Sequence, residues 1–284
     1  MTLFYDARGN IYGVVNPAFL RSRGVGVPDS AALAASNREA WTASAIASEC
    51  GWGSLPRPAD AKAHRCDGLL VGPFQAEPPF DLLIVNTDGS LAERSGNGLT
   101  IFAQALTDQG LMTQGCELRV HHDKSDAASP VATSVEPARY GQVDGFWLAL
   151  GQPEFGPLAV GAVGVEPVRV EAHGFSRVDT LVAINPHWAC SQFVRVGNPH
   201  CVTLVDQVSA LPDNPSMHQP ALFLALQAVA FAPPVGSGQP CAAGINLQWA
   251  ARDHGNRVLA RVFERGEGPT ASSGTSASAV ACAA

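Results

Sequence analysis

Short apolar runs bounded by turn residues recur along the chain. They are residues 80–85, 117–121, 146–150, 163–170, 193–196 and 201–205. Each run has the length and composition of a single strand. Helix-compatible patterns are fewer, and they fall at residues 30–48, 99–106, 221–230 and 277–284. Because many strands are mixed with few helices, the sequence predicts an α+β fold and not a doubly wound parallel sheet.

Polar stretches rich in proline and glycine interrupt this pattern. They lie at residues 53–61, 123–137 and 212–220. The middle stretch is nearest to mid-chain and predicts either a domain boundary or a long hairpin loop. We therefore expect two domains, residues 1–122 and residues 123–284, each with several strands and a helix of its own.

Two motifs place a serine directly before a glycine where a helix is predicted to begin. They are Ser95-Gly96-Asn97-Gly98 and Ser273-Gly274-Thr275. A helix N-terminus presents unpaired backbone N–H groups and the positive end of the helix dipole, so it can bind a carboxylate. Two such helix starts far apart in the sequence indicate a duplicated fold whose halves face one ligand. The alternative is that each serine is an ordinary helix N-cap.

The overall composition narrows the class of protein. The chain has 284 residues, of which 46% are hydrophobic and 15% are charged, as expected for a globular protein of two domains. Its formal net charge of −7 argues against a nucleic-acid partner. No apolar run approaches the roughly 20 residues that span a bilayer, and no signal peptide is evident. We therefore expect a cytoplasmic protein without a membrane partner.

Cysteine and histidine give no indication of a metal site. The seven cysteines are scattered and are never spaced C-x-x-C, which fits neither a zinc site nor a disulfide framework. The eight histidines are dispersed as well. We therefore expect no metal.

A set of amide side chains and one arginine suits a small zwitterionic ligand. Its members are Asn10, Asn86, Asn198, Asn246 and Arg265. Amides and a guanidinium bind carboxylates, and amide oxygens accept hydrogen bonds from an ammonium group, so an amino acid is the expected partner. Simpler interpretations stay open for single residues: Asn86 as a turn residue and Arg265 as one half of a surface ion pair.

Seven motifs follow one another along the chain. They are Ala7-Arg8-Gly9-Asn10, Cys66-Asp67-Gly68-Leu69-Leu70-Val71, Asn86-Thr87-Asp88-Gly89-Ser90, Ser95-Gly96-Asn97-Gly98, Gly197-Asn198-Pro199-His200, Glu264-Arg265-Gly266-Glu267-Gly268 and Ser273-Gly274-Thr275. In content and order they resemble the diaminopimelate epimerase family, within the cofactor-independent amino-acid racemase and epimerase superfamily. The resemblance extends over essentially the whole chain, and the ordered set is far more specific than any one motif.

This resemblance implies a fold and an activity. The fold would be two similar domains, each a curved sheet or barrel around a central helix, with the active site in the cleft between them. The activity would be isomerisation without a cofactor, by transfer of a proton at the α-carbon of an amino acid. The conversion of LL- to meso-diaminopimelate, in lysine and cell-wall biosynthesis, is the type reaction.

The resemblance also implies roles for individual residues. The distal end of the substrate would be held by Asn10, Asn86, Asn198, Asn246 and Arg265. The carboxylate at the reacting carbon would be bound by the backbone N–H groups of Gly96, Asn97, Gly274 and Thr275. The catalytic residues would be Ser95 and Ser273, assisted by His200 and Glu264.

The chain departs from the family at the two residues that transfer the proton. The family has cysteine at both positions, whereas this chain has Ser95 and Ser273. A thiol at a helix N-terminus can ionise near neutral pH, but a serine hydroxyl is a much weaker acid and so a poor general base. Three explanations stay open: a different reaction such as a dehydration, an inactive or binding relative, or an engineered exchange of both cysteines.

The sequence favours a diaminopimelate-epimerase-like isomerase whose activity is impaired or altered by the two serines. The alternatives are a dehydratase or racemase of another amino acid, such as a hydroxyproline-like substrate, and a non-catalytic amino-acid-binding relative. The family continues with further strands after the second serine helix, so we expect that the C-terminal domain is truncated or is completed by another chain. The sequence leaves open whether the protein is a homodimer.

Overall fold

The computed structural model describes residues 1–7, 9–53, 55–59, 61–125, 127–170, 173–271 and 273–284. Of residues 169, 170 and 173 it describes only the backbone. Arg8 of the first motif, and Ser54, Asp60 and Asp126 of the polar stretches, lie outside the described residues. The chain divides into two compact units, Met1–Leu150 and Gly151–Ala284.

The first unit combines one sheet with a few helices. Its strands are β1 (Leu3–Ala7), β2 (Asn10–Val15), β3 (Gly68–Val71), β4 (Phe80–Asn86), β5 (Leu91–Ala92), β6 (Cys116–Val120), β7 (Val131–Tyr140) and β8 (Val143–Leu148). Its helices are α1 (Pro17–Ser22), α2 (Ala31–Ser36), α3 (Thr42–Glu49) and α4 (Gly96–Asp108), with a 3₁₀ turn at Arg38–Ala40.

The sheet of the first unit curves around helix α4. Its strands follow the order β1-β2-β3-β4-β6-β7-β8, and the short β5 pairs with β4. The β2–β3 and β4–β6 pairs are parallel, and the other pairs are antiparallel. Helix α4 contacts β1 and β2 at one end of this order and β8 at the other end. The sheet must therefore curl for both of its ends to reach one helix.

Apolar side chains on both faces of this sheet account for the stability of the unit. On one face Leu99, Phe102 and Leu106 of α4 are completely buried in a cluster with residues of the strands. On the other face Trp41 and Ile46 pack in a second cluster with strand residues. Strands buried on both faces read as continuous apolar runs, which is why residues 80–85 were predicted correctly as a strand.

The second unit has the same kinds of element. Its strands are β9 (Glu154–Phe155), β10 (Glu166–Val170), β11 (His173–Arg177), β12 (Ser191–Val196), β13 (Asn198–Leu204), β14 (Asn246–Arg252), β15 (Val258–Glu264) and β16 (Gly268–Pro269). Its helices are α5 (Pro157–Val160), α6 (Asp179–Ile184), α7 (Asn214–Met217), α8 (Pro220–Ala230) and α9 (Gly274–Ala283), with a 3₁₀ turn at Val208–Ala210. The strand order is β10-β11-β12-β13-β14-β15-β16, and β9 pairs with β12.

The two units repeat one arrangement in register. In each, a hairpin (β1–β2 or β12–β13) is followed by helices, by a strand parallel to the second hairpin strand (β3 or β14), by two antiparallel strands and by a helix that packs against the sheet. Leu91 of β5 lies four residues before Ser95, and its match Pro269 of β16 lies four residues before Ser273. Helix α9 contacts β12, β13, β14 and β15 as α4 contacts its own sheet. The predicted α+β fold with two similar curved-sheet domains is confirmed.

The boundary between the units differs from the predicted one. The division follows Leu150, whereas the sequence predicted it between residues 122 and 123. Strands β7 and β8 pair with each other and with β6, so they belong to the first sheet. The polar stretch at residues 123–137 is therefore the connection of a hairpin together with the beginning of β7. Exposed and buried positions alternate at the start of β7, which gives a polar average to a regular strand.

The predicted helices are confirmed at residues 99–106 and 221–230, within α4 and α8, and at residues 277–283, within α9, which ends one residue before the predicted end. The prediction of one continuous helix at residues 30–48 is wrong, because α2 ends at Ser36 and a separate helix, α3, begins at Thr42. Asn37 follows α2 and its Nδ2 donates to the Leu33 carbonyl oxygen at 2.9 Å, so it competes with the helix backbone. Among the described residues, no helix is both long and apolar enough to cross a membrane.

Replacing Trp41 with alanine is expected to destabilise the protein by about 3–5 kcal/mol, the usual range for an aromatic side chain removed from a core. Trp41 is 1% exposed, and its indole N–H donates to the Ala34 carbonyl oxygen at 2.9 Å. Trp147, which is 74% exposed, is the matched control, and its replacement is expected to change stability by less than about 0.5 kcal/mol. Urea denaturation followed by circular dichroism measures both changes, and equal effects would contradict the assignment of Trp41 to the core.

Candidate functional site

Ser95 caps helix α4 as the sequence predicted. Its Oγ accepts a hydrogen bond from the backbone N–H of Gly98 at 3.0 Å. A Cβ added at Gly98 would lie 3.1 Å from the Cβ of Ser95, so this close turn favours glycine. Gly96 and Asn97 form the first turn, where an α-helix leaves N–H groups without intrahelical acceptors. The first predicted carboxylate site therefore has the local structure that its proposed role requires.

A hydrogen-bonded chain of side chains runs from this helix start to strand β2. Asn97 Nδ2 donates to Asn10 Oδ1 at 3.3 Å, and Asn10 Nδ2 donates to Asp67 Oδ2 at 3.1 Å. The same Asp67 oxygen accepts the backbone N–H of Ile11 at 2.7 Å. Two of the predicted binding residues, Asn10 and Asn97, thus lie together, and both are partly exposed.

Asp67 is a positioning residue to which the sequence reasoning gave no role. Its carboxylate is buried and forms an ion pair with Lys62 at 2.5 Å. A buried carboxylate requires hydrogen bonds and a countercharge, and it receives both here. Asp67 belongs to one of the seven motifs, next to Cys66, so the sequence drew attention to it. Its contact with Asn10 joins residues far apart in the chain and could not be predicted from the local sequence.

Asn86 is a turn residue, which is the simpler of its two interpretations. It ends β4, and its Nδ2 donates to Ser90 Oγ at 3.0 Å across a turn. Ser90 in turn donates to Asp88 Oδ1 through both its backbone N–H at 2.9 Å and its hydroxyl at 2.6 Å. The side chains of this turn are therefore hydrogen-bonded to one another. Asn86 still has a second amide hydrogen and the lone pairs of Oδ1 with which it can bind a ligand.

Ser273 caps helix α9 in the same way as Ser95 caps α4. Its Oγ accepts the backbone N–H of Ser276 at 3.4 Å. Gly274 is exposed and Thr275 is buried in the first turn that follows. The second predicted carboxylate site thus has the same local structure as the first.

Asn246 and Arg265 lie together in the second unit. Asn246 Oδ1 accepts the backbone N–H of Arg265 at 2.7 Å, which fixes the chain directly after Glu264 at the end of β15. The Arg265 guanidinium donates from Nη1 to the Ala243 carbonyl oxygen at 3.1 Å. Asn198 begins β13 and is partly exposed, and its side chain forms no hydrogen bond with the described residues of this unit.

His200 lies in a strand and not in a loop. Only Gly197 of its motif is a turn residue, and Asn198, Pro199 and His200 form the beginning of β13. The positive φ of Gly197, 71°, lets two strands follow one another with a single residue between them. His200 is consequently a fully buried strand residue.

The environment of His200 keeps its imidazole uncharged. Burial, and then the positive charge of Arg265, lower the pKa of His200 from 6.5 to about 3. Gln248 Nε2 lies 3.0 Å from His200 Nδ1 and 3.0 Å from Ser276 Oγ. The side-chain amide of Gln248 therefore links His200 of β13 to helix α9, which Ser273 caps.

The sequence reasoning missed Gln248 and Ser276. A signal for Gln248 was present, because Asn246 and Gln248 stand two apart in an apolar strand and so point to the same face. The register of the parallel pair, in which His200 lies opposite Asn246, could not be read from the sequence. Among the described residues, no group of three or more histidine, cysteine, aspartate or glutamate side chains could hold a metal ion.

Comparison with known proteins identifies relatives of this chain. No family model matches it. It is 31% identical over 229 residues to the diaminopimelate epimerase of Halorhodospira halophila, a match that covers 77% of this chain and 65% of that protein. It is 29% identical over 216 residues to the diaminopimelate epimerase of Laribacter hongkongensis, with 76% and 66% covered. The chain thus spans slightly less than two thirds of the length of these relatives.

A solved structure shares the fold. It is a hydroxyproline epimerase from Agrobacterium vitis with bound trans-4-hydroxy-L-proline, and the similarity has a TM-score of 0.51. The match covers 99% of this chain and 75% of that one, at 14% identity. At this identity the likeness concerns the fold alone.

Acid is expected to destabilise the protein through His200. Its folded pKa of about 3 lies below the ordinary 6.5, so at intermediate pH the unfolded chain binds a proton that the folded chain does not. The free energy of unfolding therefore falls as the pH drops below about 6.5, by about 2–3 kcal/mol between pH 7 and pH 4.5. Urea denaturation at both pH values measures this change.

The comparison of His200→Gln with wild type isolates this contribution. Glutamine does not titrate, so the variant is expected to lose most of that pH dependence, whereas the change His254→Gln at a fully exposed histidine is expected to retain it. Equal pH dependence in wild type and His200→Gln would show that His200 is not held neutral by the fold.

Proposed function

Because the chain is a homologue of the diaminopimelate epimerases, we propose that it is a cofactor-independent isomerase that acts at the α-carbon of an amino acid. Isomerisation at this carbon requires removal of the α-proton and return of a proton to the opposite face. It also requires that the adjacent carboxylate be held by hydrogen-bond donors, since negative charge develops on it as the proton leaves. The substrate that we propose is diaminopimelate, converted from its LL to its meso form in lysine biosynthesis.

The observation that carries this proposal is the pair of serine-capped helix starts at matching places of the two units. The first-turn N–H groups of Gly96 and Asn97 in α4, and of Gly274 and Thr275 in α9, are the donors that we assign to the carboxylate. Helix α4 is largely buried in its sheet, and α9 is buried along one face, so the sheet excludes water from one side of each helix dipole. The two serine-capped helix starts have the same local structure, so each unit supplies one candidate carboxylate site.

The side chains around these helix starts support an amino-acid ligand. In the first unit, Asn10 is held by Asp67 and Asn97. In the second, Asn246 fixes the backbone at Arg265. We assign these residues, with Asn86 and Asn198, to the distal amino and carboxylate groups, because amides bind both and the guanidinium adds a charge-assisted bond to a carboxylate.

The two serines limit the chemistry that we propose. Each Oγ already accepts a helix N–H, and among the described residues of its own unit neither hydroxyl donates to a carboxylate or an imidazole. A hydroxyl without a base is a weak acid–base catalyst at neutral pH. We therefore expect proton exchange to be slow while Ser95 and Ser273 hold these places, although the binding groups are present.

A second candidate follows from this same observation. A protein that keeps the helix starts and the amide side chains, and uses both serines only as N-caps, binds an amino acid without transforming it. The geometry of the two caps favours this function directly, because capping occupies each Oγ as a hydrogen-bond acceptor.

Proton exchange in D₂O distinguishes the candidates. With LL-diaminopimelate, the wild type is expected to exchange the α-proton slowly or not at all, as followed by NMR. The double variant Ser95→Cys, Ser273→Cys is expected to exchange it at least about 100-fold faster, the usual gain from a competent acid–base group. The control is Ser278→Cys, which adds a thiol to the same helix at a serine whose Oγ bonds the Gly274 carbonyl oxygen. It is expected to leave the rate unchanged.

Other outcomes assign other functions. Saturable binding without exchange in the cysteine variants would favour the non-catalytic amino-acid-binding protein. Loss of water from trans-4-hydroxy-L-proline, or exchange with that substrate alone, would favour the dehydratase or the racemase of another amino acid. Neither binding nor exchange with any amino acid tested would overturn the assignment of an amino-acid site.

A further inference from the structure

A chain of three buried polar side chains connects strand β13 to helix α9. Gln248 is its middle member, and its Nε2 forms hydrogen bonds of 3.0 Å with His200 Nδ1 and 3.0 Å with Ser276 Oγ. All three residues are 0% exposed. Ser276 lies in the first turn of the helix, and its own N–H is the one that Ser273 caps.

This chain fixes the position of the proton on His200. An amide N–H₂ group can only donate, so His200 Nδ1 must accept and must be unprotonated. In a neutral imidazole the single proton then lies on Nε2. Within the described part of the chain, Nε2 is buried without a hydrogen-bond partner. The result is a donor of fixed direction that has no acceptor inside its own unit.

The repeat in the fold identifies the matching positions in the first unit. Tyr12 is the third residue of β2 and lies opposite Gly68, the first residue of β3. His200 is the third residue of β13 and lies opposite Asn246, the first residue of β14. His200 therefore occupies the place that Tyr12 has in the first unit.

By the same register, Leu70 matches Gln248 and Gly98 matches Ser276. A Cβ added at Gly98 would lie 3.3 Å from a methyl carbon of Leu70, so these two positions are neighbours in the first unit as they are in the second. There, Tyr12 and Leu70 belong to one buried apolar cluster. The first unit thus has a tyrosine, a leucine and a glycine at the three places where the second unit has three hydrogen-bonded polar side chains.

Packing alone does not account for the polar version. Burying polar side chains is unfavourable unless each of them is hydrogen-bonded, and Leu70 and Gly98 occupy the matching positions of the first unit without that requirement. Two polar atoms of the chain, His200 Nε2 and Gln248 Oε1, still lack partners among the described residues. A ligand can bring the acceptor that His200 Nε2 lacks.

We propose that Gln248 and Ser276 are positioning residues that hold His200 with its proton on Nε2, so that a buried imidazole N–H beside the start of helix α9 donates to the bound amino acid. This inference rests on the proposed function for its ligand, but not for the tautomer. It makes the two halves of the repeat chemically unequal, although their serine-capped helices are alike.

The tautomer is measured by two-bond ¹H–¹⁵N NMR on protein labelled with ¹⁵N-histidine, with His200 assigned by the loss of its signals in His200→Gln. We expect an unprotonated Nδ1 and a protonated Nε2 in the wild type without ligand. Gln248→Leu, which copies the matching residue of the first unit, is expected to give a mixture of both tautomers. Gln248→Glu is expected to move the proton to Nδ1, because a carboxylate can only accept.

Two serine variants of α9 form a matched pair. Ser276→Ala removes the second partner of the Gln248 amide and is expected to shift the Nδ1 signal. Ser278→Ala removes a hydroxyl that bonds the Gly274 carbonyl oxygen and is expected to leave both nitrogen signals in place. A wild-type spectrum with the proton on Nδ1, or a Gln248→Leu spectrum identical to wild type, would overturn the positioning role.

Addition of LL-diaminopimelate tests the donor separately. Binding of this amino acid is expected to shift the Nε2 signal of His200 in the NMR spectrum. Its affinity, measured by calorimetry, is expected to fall at least tenfold in Gln248→Leu and to stay unchanged in Ser278→Ala. Binding without any change at Nε2 would refute the donor and leave the proposed function standing. Absence of binding by every amino acid tested would refute the proposed function, while the spectrum without ligand would still decide the tautomer.

Discussion

The first half of this protein depends on the burial of one helix inside a curled sheet, and the second half packs one face of α9 against its own sheet. Helix α4 carries Leu99, Phe102 and Leu106 on faces that are completely buried, so a flat sheet could not cover it. The sheet has to curve until β1 and β8 both reach the helix. The hydrophobic burial of the helix therefore determines the curvature of the sheet.

Burial of the helix also determines what happens at its N-terminus. The first N–H groups of a helix have no partners within it, and a buried helix cannot rely on bulk water to supply them. Ser95 and Ser273 each satisfy one of these groups through their Oγ. The property that makes the helix start attractive to an anion is thus a direct result of the packing that stabilises the unit.

The sequence predicted correctly the elements that are buried on nearly all sides. Residues 80–85 and 99–106 are apolar runs of the correct length and were predicted correctly. The sequence failed where a single residue overrides the pattern, as Asn37 does between α2 and α3. It also failed at β7, whose alternating exposure resembles a polar linker. For the site, the serine caps were visible as local motifs, but the link from His200 to Gln248 depends on a parallel register between residues far apart in the chain.

The two halves share a glycine with positive φ before the matching asparagines, Gly9 at 98° and Gly197 at 71°. Both φ values lie in the left-handed region that favours glycine, so the two halves restrict the chain at this point in the same way. The buried triad has a different consequence, which concerns redesign of the protein. Exchanging Leu70 alone for glutamine, or Gly98 alone for serine, would bury a polar group without its partner, so the polar chain of the second unit can be transferred to the first only as a complete set.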